Sequence, residues 1–169
     1  MPAVNQPKGS VSAGSIKPVT RKAVRCQREV AWLVTQAAGK LVATTDDVNA
    51  PTPSFVLAAA LSHAREQEQA AQDNGRAIDY EAVMGPDLAS FCAAVGLPTA
   101  PNALSDAGYM FTLSGANLIR DLYAYCSDLG ERMGDAVQVK PGYAIKLALR
   151  LFLLDGASAA TASDGKTSA

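Results

Sequence analysis

The stretch 141–154, PGYAIKLALRLFLL, is apolar on nearly every side when it is drawn as a helix. Only Lys146 and Arg150, one helical turn apart, interrupt it. A helix with no polar face has to be covered by other structure, so this segment is expected in the middle of a helical bundle or at a contact between subunits. We expect the two cations either to reach the surface or to pair with acidic groups of a neighbour.

The amino-acid composition favours helices as the covering structure. Hydrophobic residues make up 49% of the 169 residues, whereas aromatic residues make up only 6%, and alanine supplies much of the apolar content. Alanine favours helices and close helix–helix approach over the bulky core of a β-sandwich. We therefore predict an all-α protein, a compact helical bundle of about five or six helices with flexible N- and C-terminal tails.

The positions of the helices follow from apolar periodicity and from capping residues. An extended piece is also predicted over 135–140, and helical structure is expected to start again near Ser105. The predicted helices cover 20–41, 54–72, 79–84, 87–95, 114–129 and 141–154.

The ends of the chain have a different composition from its centre. Residues 1–19 are rich in Pro, Gly, Ser and Val, without periodicity, and 156–169 are mainly small residues. Such segments bury too little apolar surface to offset the entropy of ordering. We predict a flexible basic arm over 1–19, a helical domain over 20–155 and a low-complexity Ala/Ser tail over 156–169.

Charge is distributed unevenly along the chain. Residues 1–40 carry seven basic side chains and one acidic side chain, a net charge of +6, whereas the whole chain has a net charge of −1. On the helix predicted from residue 20, three arginines and a tryptophan follow one another opposite the apolar stripe. Arginines can neutralise phosphates, and a neighbouring aromatic ring can stack on unpaired bases. The predicted nucleic-acid-binding residues are Lys17, Arg21, Lys22, Arg25, Arg28 and Trp32.

Two other interpretations of this basic face remain open. An exposed tryptophan often marks a contact between proteins, so the face can belong to a subunit interface. The arginines can also be ordinary solvated residues without a partner.

Catalytic and metal-binding patterns are missing from the sequence. The chain has a single histidine, His63, and no phosphate-binding, dinucleotide-binding, zinc-protease or nucleophile-elbow motif. The neighbouring carboxylates Glu66 and Glu68 point to different faces of a predicted helix, and we expect both to be solvated. We therefore expect no enzymatic activity, no cofactor and no metal site, and we expect the three cysteines to be reduced.

A basic arm, an Ala-rich helical body and a polar tail suit a non-enzymatic structural or self-assembly protein. Viral or phage coat and nucleocapsid subunits are examples, and the expected partners are further copies of the chain and nucleic acid, either RNA or DNA. The alternative is a small dimeric helical module that acts as a binding, regulatory or accessory protein. No segment is apolar for long enough to cross a membrane, and no signal peptide is evident, so a virion or cytoplasmic location is expected.

Overall fold

A computed structural model describes residues 19–44, 51–98, 108–134 and 139–168, with side chains except at residue 44 and beyond 154. In these ranges six helices and two strands form a helical bundle with a small sheet at one side, which confirms the predicted fold class. Most of the predicted arm, residues 1–18, lies outside the described residues. In chain order the elements are β1 (Arg21–Cys26), α1 (Glu29–Thr44), α2 (Pro53–Asp73), α3 (Tyr80–Met84), α4 (Leu88–Val95), β2 (Tyr109–Ser114), α5 (Ala116–Met133) and α6 (Pro141–Ser168).

Helix α6 is the centre of the bundle. It contacts each of the other five helices and β1, and Ile145, Leu147 and Leu149 are completely buried. Of the two positions expected from the apolar character of 141–154, the middle of the bundle is the one observed. The backbone of α6 continues to Ser168, whereas the sequence predicted a helix end near residue 154 and a separate tail after it.

The N-terminal segment corrects the prediction of a helix over 20–41. Residues 21–26 form the strand β1, and the helix begins only at Glu29. In β1 the buried residues Val24 and Cys26 alternate with exposed ones, which is the period of a strand. The pairing partner of β1 lies more than eighty residues further along the chain, so local periodicity could not reveal it.

Strands β1 and β2 form an antiparallel ribbon in which Val24 lies opposite Phe111. The other edge of β2 is covered by α2. The hydroxyl of Ser54 accepts a hydrogen bond of 2.9 Å from the backbone N–H of Ser114 and donates one of 3.5 Å to the carbonyl of Thr112. The ribbon is thereby attached to the bundle along one edge and through its inner face.

The helices α2, α3 and α4 begin and end within one residue of their predicted bounds, because capping residues mark their ends. Thr52, Asp79 and Asp87 each accept a hydrogen bond from the backbone N–H three residues later. At the end of α4, Gly96 adopts a φ of 74°, a left-handed conformation that favours glycine.

Helix α5 starts later than the sequence indicated. The predicted cap, Ser114, is the last residue of β2, and Gly115 takes the N-cap position without a side-chain hydrogen bond. The helical structure expected from Ser105 is likewise wrong over 109–114, which is a strand, while 105–107 lie outside the described residues. Most of the extended piece predicted over 135–140 also lies outside them.

Candidate nucleic-acid interface

The basic residues predicted to bind nucleic acid lie on β1 and in the turn that follows it. Arg21, Lys22 and Arg25 belong to β1 and Arg28 to the turn, and all four are exposed. Lys17 lies outside the described residues. Because side chains alternate along a strand, Arg21 and Arg25 point to the outer face of the ribbon, away from the core residue Val24. The sequence suggested that they follow one another on one helix face, and the strand replaces that arrangement.

Two of the predicted residues have aromatic or apolar surroundings. The ammonium group of Lys22 lies 5.1 Å from the ring centroid of Tyr123 on α5. Trp32 is half-buried on α1, and its indole Nε1 is buried without a hydrogen bond of normal geometry. Burial raises the pKa of the neighbouring Cys92 thiol, and the indole N–H of Trp32 partly opposes this rise. The indole N–H of Trp32 thus lies near the Cys92 thiol on α4.

A groove of about 650 Å³ lies where the end of β1 meets the beginning of α6. The first turn of α6 packs so closely on β1 that a Cβ atom on Gly142 would lie 2.6 Å from the carbonyl oxygen of Arg25. This contact brings cationic side chains from distant parts of the chain together. The groove is lined by Arg25, Cys26, Gln27, Met84, Gly108, Lys140, Gly142, Tyr143 and Lys146.

The three cations of the groove differ in how far their charge is compensated. Lys146 forms an ion pair with Glu29 and donates a hydrogen bond of 2.9 Å to Gln27. Within the described ranges, Arg25 and Lys140 form no ion pair, and both are exposed. Among the described residues, these two positive charges of the groove therefore have no ion-pair partner.

Tyr143 is the aromatic residue of the groove. It is half-buried, with part of its surface packed against the core. Burial raises the pKa of its hydroxyl, and the nearby charge of Glu81 adds to the effect, so the ring carries a neutral hydroxyl at neutral pH. The groove therefore combines two exposed cations with one uncharged aromatic side chain.

Behind the groove, a buried arginine connects four helices. Arg150 on α6 is fully buried. Its guanidinium donates to the carbonyl oxygens of Val83 (2.9 Å) and Pro86 (2.8 Å) and to the carboxylate of Glu29 (3.1 Å). It also lies 4.7 Å from the ring centroid of Phe91. Two arrangements were predicted for Lys146 and Arg150, contact with the surface or pairing with an acidic group. Pairing is the one observed, and the acidic group, Glu29, belongs to the same chain.

A second polar cluster surrounds Glu68, which corrects the expectation that this carboxylate is solvated. Glu68 is buried and accepts hydrogen bonds from the hydroxyls of Tyr80 (2.5 Å) and Tyr125 (3.2 Å). The guanidinium of Arg132 lies 2.8 Å from its other oxygen. Burial and the hydrogen bond to Glu68 raise the pKa of Tyr80 to about 12, and burial also raises that of Tyr125. The cluster joins α2, α3 and α5, and its carboxylate is occupied by these partners.

His63 also has a structural environment. Its ring packs edge-on against Phe152 with the centroids 5.5 Å apart, and its Nε2 lies 3.0 Å from the amide nitrogen of Gln67. Among the described residues, no group of three or more His, Cys, Asp or Glu side chains is placed to hold a metal ion. In the same part of the chain, no helix is long and apolar enough to cross a membrane.

The sequence did not reveal that Lys140 and Tyr143 lie beside Arg25. They follow it by more than one hundred residues, and the available signal was only the start of an apolar helix after a lysine. The interpretation of the predicted residues as a nucleic-acid site stays a prediction. The structure changes the expected geometry of this site. It groups Arg25 with Lys140 and Tyr143, and it places the indole N–H of Trp32 near α4.

Comparison with known proteins adds no relative. Neither a protein-family model, nor a curated protein, nor a solved structure matches this chain.

Proposed function

We propose that this chain is a non-enzymatic structural protein that assembles with copies of itself and contacts nucleic acid through the surface formed by β1 and the beginning of α6. The observation that carries the proposal is the pair of exposed cations at the groove, Arg25 and Lys140, which form no ion pair with any of the described residues. Arg21 and Arg28 extend the positive charge along the neighbouring exposed surface.

Phosphate binding by such a surface is electrostatic and independent of base sequence. Each arginine or lysine that neutralises a phosphate releases a condensed counterion, and the entropy of that release drives association. A coat or nucleocapsid subunit needs this property, because it has to cover a nucleic acid whatever its sequence.

Self-association is the second part of the proposal. Two large apolar side chains, Phe55 and Met110, are 61% and 53% exposed. They belong to α2 and β2, the elements joined by the hydrogen bonds of Ser54. Exposed apolar residues of this size suit a surface that another subunit covers.

The nucleic-acid part is tested by fluorescence anisotropy with a labelled oligonucleotide over a range of salt concentrations. For the double variant Arg25→Gln/Lys140→Gln we expect weaker binding and a shallower dependence of log K on log salt, by about 1.4 for two lost phosphate contacts on a single strand. The control Arg76→Gln/Arg120→Gln removes two exposed cations elsewhere and is expected to bind as the parent does. Equal effects of the two double variants would contradict the proposed site.

The assembly part is tested by size-exclusion chromatography with light scattering, and the absorbance ratio at nucleic-acid and protein wavelengths is recorded before and after nuclease treatment. Large particles that contain nuclease-protected nucleic acid would support the proposal. A monomer or dimer free of nucleic acid would refute it and favour the small dimeric binding module.

A further inference from the structure

We infer that the groove between β1 and α6 is a binding site for one unpaired nucleotide, so that the nucleic acid bound by this chain is single-stranded. This inference rests on the proposed function and adds the substrate class to it. Its basis is the placement of Tyr143 and Met84 in the same groove as Arg25 and Lys140.

The size of the groove suits a ligand larger than a single phosphate. Its volume of about 650 Å³ lies within the range of roughly 300–1,000 Å³ that is typical of small-ligand pockets. A bare anion would leave most of this space unfilled. A nucleotide has a charged phosphate and a flat apolar base, and it can use both the cations and the remaining walls.

The lining of the groove has the two chemical characters that a nucleotide requires. Arg25 and Lys140 supply positive charge without an intramolecular partner among the described residues. Tyr143 and Met84 supply apolar surface, and both are half-buried with part of their surface packed against the core. An aromatic side chain held in this way offers a base a stacking surface at little additional entropic cost.

The lining also explains why the ligand has to be single-stranded. In a duplex each base is stacked between its neighbours, and its edge is paired, so a base cannot leave the stack to meet a side chain without disrupting the duplex. A single strand presents its bases freely, and stacking on an aromatic ring does not depend on base identity. The charge of Lys146 is already compensated by Glu29, so among the three cations of the groove we assign phosphate contact to Arg25 and Lys140.

Fluorescence anisotropy with the full chain, a labelled oligouridine and a duplex of equal length at one salt concentration tests this inference. We expect the single strand to bind more tightly than the duplex. We expect Tyr143→Leu to weaken single-strand binding about tenfold, in line with the loss of one stacking contact, while Tyr143→Phe retains it.

A crosslinking experiment on the unaltered chain keeps the inference testable if Tyr143→Leu does not fold. An oligonucleotide containing 5-iodouridine is irradiated with the protein, and the crosslinked peptide is identified by mass spectrometry. We expect the tryptic peptide that contains Tyr143. Crosslinking confined to other peptides would overturn the inference.

The outcomes separate this inference from the proposed function. If single strand and duplex bind equally, the nucleotide site is refuted but the electrostatic interface stands. The same holds if Tyr143→Leu binds like the parent while Arg25→Gln/Lys140→Gln loses affinity. If the unaltered chain binds neither nucleic acid, both are refuted.

Discussion

Glu29→Gln is expected to destabilise the fold more than any exposed charge substitution, because the carboxylate of Glu29 is paired with both the guanidinium of Arg150 and the ammonium of Lys146. Removing one partner of a buried ion pair typically costs about 3–5 kcal/mol. Arg150 retains its bonds to the carbonyls of Val83 and Pro86, and the Glu29 side chain is 15% exposed. Both facts reduce the cost, so we expect a loss of about 2–3 kcal/mol in the free energy of unfolding.

Urea denaturation followed by far-UV circular dichroism at neutral pH measures this loss. The control is Glu66→Gln, at an exposed carboxylate of the same charge on α2, and we expect it to change stability by less than about 0.5 kcal/mol. A double-mutant cycle with Arg150→Met isolates the interaction itself, and its coupling energy is expected to be about 1–3 kcal/mol. A loss below about 1 kcal/mol for Glu29→Gln, or strictly additive effects in the cycle, would refute the role assigned to this pair.

Three further predictions concern packing and titration. Gly142→Ala should destabilise the chain by about 2 kcal/mol, because the added Cβ would lie 2.6 Å from the backbone carbonyl oxygen of Arg25. The control Gly39→Ala adds a Cβ in open space and should be neutral or stabilising in the same denaturation assay. The pKa of Tyr80 is raised from 10.0 to about 12 in the folded chain. The contribution of the Tyr80 hydroxyl to the free energy of unfolding is therefore complete below pH 10 and is lost as the pH rises toward 12. Tyr80→Phe should flatten the decline of stability with pH in that window. Burial also raises the pKa of the Cys26 and Cys126 thiols to about 11. At pH 8 a thiol reagent should therefore label the three buried cysteines, Cys26, Cys92 and Cys126, only after urea is added. Rapid labelling of the native chain would contradict their burial.

How much of the candidate site could be predicted depends on the distance along the chain between its parts. The excess of basic residues in the first forty was visible in the sequence, and Arg21, Arg25 and Arg28 are exposed as expected. Their arrangement was not visible, because it depends on pairing between β1 and β2 and on the approach of Gly142 to the backbone of Arg25. Local spacing carries no information about contacts between residues so far apart.

The sequence by itself determined the helical class, the ends of α2 to α4 and the need for the apolar segment 141–154 to be covered by other structure. These features depend on local physics: apolar residues at helical spacing, capping side chains, and an apolar surface that has to be covered. Tertiary structure decided that 21–26 is a strand, because the partner strand supplies hydrogen bonds that outweigh a weak helical pattern. It also decided that Glu68 and Arg150 are buried, since a charged group can leave water only where distant residues provide its partners.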